Sequence, residues 1–83
     1  MKISVQTNIA APVFQQIVDQ VHFAISAGEL LPDERLPSIR TVATELGIAP
    51  NTVAKAYRQL EFRGLITAHD RSGYSVLAAV PDS

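Results

Sequence analysis

Residues 36–64 read Leu36-Pro37-Ser38-Ile39-Arg40-Thr41-Val42-Ala43-Thr44-Glu45-Leu46-Gly47-Ile48-Ala49-Pro50-Asn51-Thr52-Val53-Ala54-Lys55-Ala56-Tyr57-Arg58-Gln59-Leu60-Glu61-Phe62-Arg63-Gly64. Ser38 offers an N-cap hydroxyl to the free amides of a helix behind it. Ile39, Val42, Ala43 and Leu46 recur at three- and four-residue spacing and predict the buried stripe of that helix. Gly47 ends it, because glycine accepts the left-handed conformation beyond a helix C-terminus. Gly47-Ile48-Ala49 is a turn that leads directly into Pro50, where a further helix starts. Val53, Ala56, Tyr57 and Leu60 form its apolar face, with Gly64 beyond its end. Two short helices joined by a glycine turn, with another element behind them, are helix-turn-helix organisation.

Upstream, Phe14, Ile17, Val18, Val21 and Ile25 make one apolar stripe and predict a first helix over roughly 12–27. Pro12 suits its first turn, where a missing N–H costs nothing, and Gly28 is placed to stop it. Leu30 to Pro37 is a connector with two prolines, too short and stiff for a helix, from which Leu30, Leu31 and Leu36 are expected to cover the core. Ile3, Val5 and Thr7 alternate, which fits a short edge strand or an extended arm. Downstream the period changes to that of strands. Leu65–His69 and Gly73–Leu77 read as two strands around the tip His69-Asp70-Arg71-Ser72-Gly73. The predicted fold is mainly α with a small β-hairpin: a winged helix-turn-helix, a three-helix core plus wing.

The chain has 83 residues and no cysteine, so one core without a disulfide or a thiolate metal site is expected. Apolar residues make up 47% of it, too many for a disordered tail. No run of 18 apolar residues could span a membrane, and the N-terminus has no signal-peptide stretch. The net charge of −1 hides a segregation. Residues 1–34 hold Lys2 against Asp19, Glu29, Asp33 and Glu34. Residues 35–71 hold Arg35, Arg40, Lys55, Arg58, Arg63 and Arg71 against Glu45, Glu61 and Asp70, so the two parts carry −3 and +3. A local surplus can face a polyanion even in a slightly acidic chain; an ordinary mixed surface is the alternative.

At about 100° per residue, Asn51, Lys55 and Arg58 fall within roughly 60° of one another, opposite Val53, Ala56, Tyr57 and Leu60. Such a face is equipped for a major groove. Asn can pair with adenine, Lys or Arg can reach guanine acceptors, and both cations can neutralise phosphates. A solvated helix face is the plainer alternative. Phe62 projects to the same side, to cover hairpin residues or a partner chain. A winged helix used for docking or dimerisation, without direct base reading, is the competing function. It would be favoured if the chain itself, or another subunit, covered the Asn51/Lys55/Arg58 face.

Gly28-Glu29-Leu30, Leu36-Pro37-Ser38-Ile39-Arg40, Ala43, Leu46-Gly47-Ile48, Asn51-Thr52-Val53, Ala56-Tyr57, Leu60 and Gly64-Leu65-Ile66 together closely resemble the winged helix-turn-helix domain of GntR-family bacterial transcription regulators. The resemblance runs from residue 12 to about 77. It is closest to the YtrA-like branch, with the MocR-like branch next. It implies a cytoplasmic regulator, a repressor, that binds a double-stranded DNA operator. The operator would be an inverted repeat read by a homodimer, with helix three in the major groove and the wing at the minor groove. It also implies site residues. Arg40 matches an arginine that contacts DNA, Ser38 the capping serine before it, and Asn51 and Thr52 positions that contact bases or phosphates. Gly73 matches the second glycine of the wing. To these the residues themselves add Lys55 and Arg58 as phosphate contacts and His69 and Arg71 at the wing tip.

The pattern has departures. Ala49 stands where the family often has a capping side chain, removing about 1 kcal/mol of stabilisation. Pro50 and Ala54 stand where some branches carry arginine, which leaves guanine reading by this helix unsupported. Asp33 replaces a turn glycine, tolerable because aspartate adopts the left-handed conformation. Arg71 replaces the first wing glycine and adds a cation where a minor groove attracts one. No enzyme is expected, since Ser38, Ser72 and the carboxylates lack the spacing of a nucleophile, base and orienting acid. His22 falls at the boundary of the first helix's stripe, and two histidines without a third ligand predict neither metal nor cofactor. The expected organisation is an arm over 1–11 and a domain over 12–77, with the helix-turn-helix at about 38–62 and the wing at about 65–77. Residues 78–83 read as the start of a linker, and an effector domain is expected to have been cut away there.

Overall fold

The computed structural model describes residues 3–6, 10–69 and 73–77. Its elements run in the order α1 (Val13–Ser26), β1 (Arg35–Leu36), α2 (Ile39–Leu46), α3 (Pro50–Phe62), β2 (Ile66–His69) and β3 (Gly73–Val76). The three helices and the hairpin are the winged helix-turn-helix that the periodicity predicts.

Helix α1 begins one residue later than expected. Pro12 is its N-cap rather than part of its first turn, and its carbonyl accepts the Gln16 N–H at 3.1 Å. Ile17, Val18, Val21 and Ala24 are buried, while Phe14 and Ile25, the ends of the expected stripe, are half-buried. Gln16 is buried among them because its carboxamide serves the N-terminal arm. It accepts the Gln6 N–H at 2.7 Å and donates to the Gln6 and Ala11 carbonyls at 2.7 and 3.0 Å. One turn along, Gln20 accepts the Ser4 N–H at 3.1 Å and donates to the Ser4 carbonyl. The arm over residues 3–6 is therefore extended without pairing to a strand, and Ile3 is buried against the core. Thr7 lies outside the described residues.

The connector forms no helix, as its prolines predict, but holds a tight turn and a short strand. Glu34 N–H donates to the Leu31 carbonyl at 3.0 Å, closing a turn with Pro32 and Asp33 at its centre. Asp33 takes φ +67°, the left-handed conformation that the third position of a type II turn demands. The turn reverses one expectation: Leu30 and Leu36 are buried, but Leu31 opens the turn and is 60% exposed. After the turn β1 pairs with β3, Arg35 opposite Ser75 and Leu36 opposite Tyr74. β2 pairs with the other edge of β3, giving an antiparallel sheet in the order β1-β3-β2. A two-residue strand has too little pattern to be read from sequence.

Ser38 caps α2 as expected, accepting the Thr41 N–H at 3.1 Å, and Gly47 closes it at φ +67°. Helix α3 packs against both α1 and α2. Its Val53, Ala56, Tyr57 and Leu60 are buried together with Val42, Ala43, Ile66 and Val76. Ala49 at the α3 N-cap makes no side-chain cap bond. The core lies on one side of α3 and leaves the other side free.

Candidate nucleic-acid interface

The burial of Val53, Ala56, Tyr57 and Leu60 turns Asn51, Lys55, Arg58 and Phe62 outward. All four are exposed, and Phe62 is 90% exposed. Phe62 therefore covers no hairpin residue. It ends a shallow groove along α3 that Lys55, Arg58, Gln59 and Glu61 also line. Among the described residues the Phe14 ring approaches this face at Lys55, and Asn51 and Arg58 stay exposed.

Each expected site residue has a distinct setting. Asn51 sits exposed in the first turn of α3. Thr52 beside it is half-buried, and its N–H donates to the Ala49 carbonyl at 3.0 Å. Lys55 has a partner that sequence reasoning missed: its ammonium lies 4.2 Å from the centroid of the Phe14 ring at the start of α1. No local pattern signals a cation–π contact between helices so far apart in sequence. Arg58 is exposed one turn further along α3.

Arg40 is exposed in the first turn of α2, two residues after Ser38. Ser38 itself is half-buried and committed to the helix. Its hydroxyl donates to the Thr41 hydroxyl at 2.9 Å while accepting the Thr41 N–H. The same cap closes the first turn of α2, in which Arg40 lies.

In the wing, His69 ends β2 opposite Gly73, the first residue of β3. The exposed His69 ring is hydrogen-bonded through Nε2 to the Ser75 hydroxyl, diagonally across the two strands. Arg71, with Asp70 and Ser72, lies outside the described residues. His22, expected at the boundary of the α1 stripe, is exposed. Arg63 Nη1 donates to its Nδ1 at 3.1 Å, tying the end of α3 to α1.

Behind the interface stands Tyr57. Its hydroxyl donates to the Pro37 carbonyl at 2.6 Å, and its ring meets Tyr74 edge-on, centroids 4.8 Å apart. Burial pushes the phenol well above its ordinary range, and the neighbouring Tyr74 pushes it the same way. Among the described residues no group of histidine and carboxylate side chains could hold a metal ion, and no helix is long and apolar enough to cross a membrane.

Known proteins share this arrangement. The HTH-type transcriptional regulator Rv1152 of Mycobacterium tuberculosis is 42% identical over 69 residues, which are 83% of this chain and 57% of that protein. The chain thus spans little more than half the length of that relative. YtrA from Sulfolobus acidocaldarius, a GntR-family transcription factor, superposes with a TM-score of 0.86 at 38% identity, over 94% of this chain and 82% of that one. The AraR DNA-binding domain, solved in complex with operator ORX1, shares the fold: TM-score 0.77, 23% identity, 88% of this chain and 93% of that one. Residues 14–76 match the family described as bacterial regulatory proteins, gntR family, and the chain belongs to that family.

Proposed function

We propose that this domain is the operator-reading part of a transcription regulator, a repressor, which acts in the cytoplasm as a homodimer on an inverted repeat of double-stranded DNA. Helix α3 enters the major groove and the wing lies at the minor groove. Asn51 reads a base edge. Thr52, Lys55 and Arg58 hold phosphates beside it, Arg40 and the Ser38 turn hold the backbone from α2, and His69, Arg71 and Gly73 serve the wing. The chain comes from a family of regulators and is not an enzyme. Residues 12–77 form the domain, with 1–11 as its arm.

The observation that carries this reading is the two-sidedness of α3. One side is fully buried, and the other presents an exposed amide and two exposed cations, of which Lys55 rests against the Phe14 ring. The +3 balance of residues 35–71 supplies the sign a polyanion requires. AraR gives the same fold a place on operator DNA.

The test is binding to duplexes selected from a random pool, measured against salt. Each phosphate neutralised contributes about −0.9 to the log–log slope. Affinity that ignores salt would defeat the proposal and leave the α3 face as a protein-docking surface.

A further inference from the structure

Tyr57 joins three elements that the DNA reading gives separate tasks. It belongs to α3 and is fully buried. Its hydroxyl holds the Pro37 carbonyl at 2.6 Å, immediately ahead of the Ser38 cap of α2. Its ring packs at 77° on Tyr74, which stands in the middle strand of the sheet, opposite Leu36 on one edge and Ala68 on the other.

The geometry has mechanical content. Helix α2 has eight residues and is about 12 Å long. The Gly47 turn ties its C-terminal end to α3. Its N-terminal end is capped by Ser38, but that cap orients the helix only against its own preceding residues. The hydrogen bond that fixes this end against α3 spans 20 residues, from Tyr57 to Pro37. Without it the start of α2 is held by its apolar face and, two residues ahead of Ser38, by the pairing of β1 with β3, so it can shift about Gly47 within those limits. Arg40, near the loosened end, moves most. Asn51, on α3 beyond the pivot, moves least.

We infer that the Tyr57 hydroxyl is a positioning group that sets where Arg40 meets DNA, by holding the Pro37 carbonyl at the start of α2. It touches no DNA itself. The inference rests on the proposed DNA reading, and it makes a claim about α2 that can be checked without DNA.

The experiment uses the whole 83-residue chain and the variant Tyr57→Phe, which keeps the ring and its contact with Tyr74. Without DNA, amide exchange of Thr41 and Val42 in the first turn of α2 should accelerate, while Val53 to Leu60 in α3 stay protected. With a selected duplex, affinity should fall by about three- to tenfold, the scale of one hydrogen bond. Tyr57→Phe should add nothing further to Arg40→Ala, and should add fully to Asn51→Ala.

Losses that add fully in the Arg40 pair, or unchanged exchange at Thr41 and Val42, would overturn the inference. So would a variant without a cooperative melt, because the hydroxyl would then hold the entire core. If wild type binds no DNA but Thr41 and Val42 still loosen, the DNA reading fails while the anchoring of α2 stands.

Discussion

The Lys55 ammonium rests 4.2 Å from the centroid of the Phe14 ring, so a cation on the outer face of α3 is held by the first turn of α1. An exposed contact of this kind contributes about 0.5–1 kcal/mol. Lys55→Ala should lower stability by that amount, weaken all DNA sequences about equally and reduce the salt slope by about one. Phe14→Leu should keep the salt slope and lose only stability. Denaturant melts and binding at several salt concentrations check both. Unchanged melting of Lys55→Ala would mean the ring does not hold the charge.

Asn51→Ala separates base reading from positioning. Pro50 and Ala54 supply no guanine-reading side chain beside it, so discrimination on α3 rests on this amide. When every single-base variant of the selected operator is tested, base reading predicts a loss of about 1–3 kcal/mol on the operator and relaxed preference at one base pair. A uniform loss would make Asn51 a phosphate contact.

Leu60 is fully buried between the helices. Leu60→Ala should cost roughly 2–5 kcal/mol of unfolding free energy through the cavity it leaves. Urea unfolding measures this, and a cost below 1 kcal/mol would mean that the neighbouring side chains collapse into the space.

Tyr57 predicts an alkaline limit. Its folded-state proton is held more tightly than in the unfolded chain, because burial first and Tyr74 second disfavour the phenolate. The stabilisation is therefore complete below about pH 10 and declines as pH rises above it, by up to about 1.4 kcal/mol per pH unit. Unfolding midpoints of wild type should fall faster there than those of Tyr57→Phe. Parallel curves would show that the phenol titrates alike in both states.

Gln16→Ala removes three hydrogen bonds to the arm at once. Amide exchange at Gln6 should rise sharply, and stability should fall by about 1 kcal/mol as part-buried backbone groups exchange the carboxamide for water. Gln20→Ala should loosen Ser4 with a smaller cost, since its bonds are exposed. Equal protection of Gln6 in both variants would show that Ile3 alone holds the arm.

The helices were legible because their information is local. The stripes Ile17-Val18-Val21 and Val53-Ala56-Tyr57-Leu60, the Ser38 cap and the Gly47 stop all act within a turn or two of themselves. The outward face of α3 followed from the same periodicity. What escaped depends on distant partners. Gln16 reads as an interruption of the α1 stripe until the arm is laid beside it. Leu31 is indistinguishable from Leu30 until the turn at Pro32-Asp33 decides which of them points inward. The hold of Phe14 on Lys55 and of Tyr57 on Pro37 joins residues whose spacing in sequence carries no message. Charge segregation singled out residues 35–71, but it could not say which cations are already engaged, as Lys55 is with Phe14 and Arg63 with His22.

The middle position of β3 bears on how such a domain can change. Both edges of that strand are paired: Asp33 N–H donates to the Val76 carbonyl at 2.9 Å, Val76 N–H to the Glu34 carbonyl at 2.9 Å, and β2 lines the opposite side. The root of the hairpin is thus clamped on two flanks, while the link from His69 to Gly73 joins strands whose register is already set. Residues inserted into that link would incur only the slowly growing entropy of a longer loop, without shifting Ser75 or Val76. The hairpin works as a cantilever with a rigid mount, so the reach and chemistry of its tip can vary among descendants, or be exchanged by an engineer, while the helices keep their places.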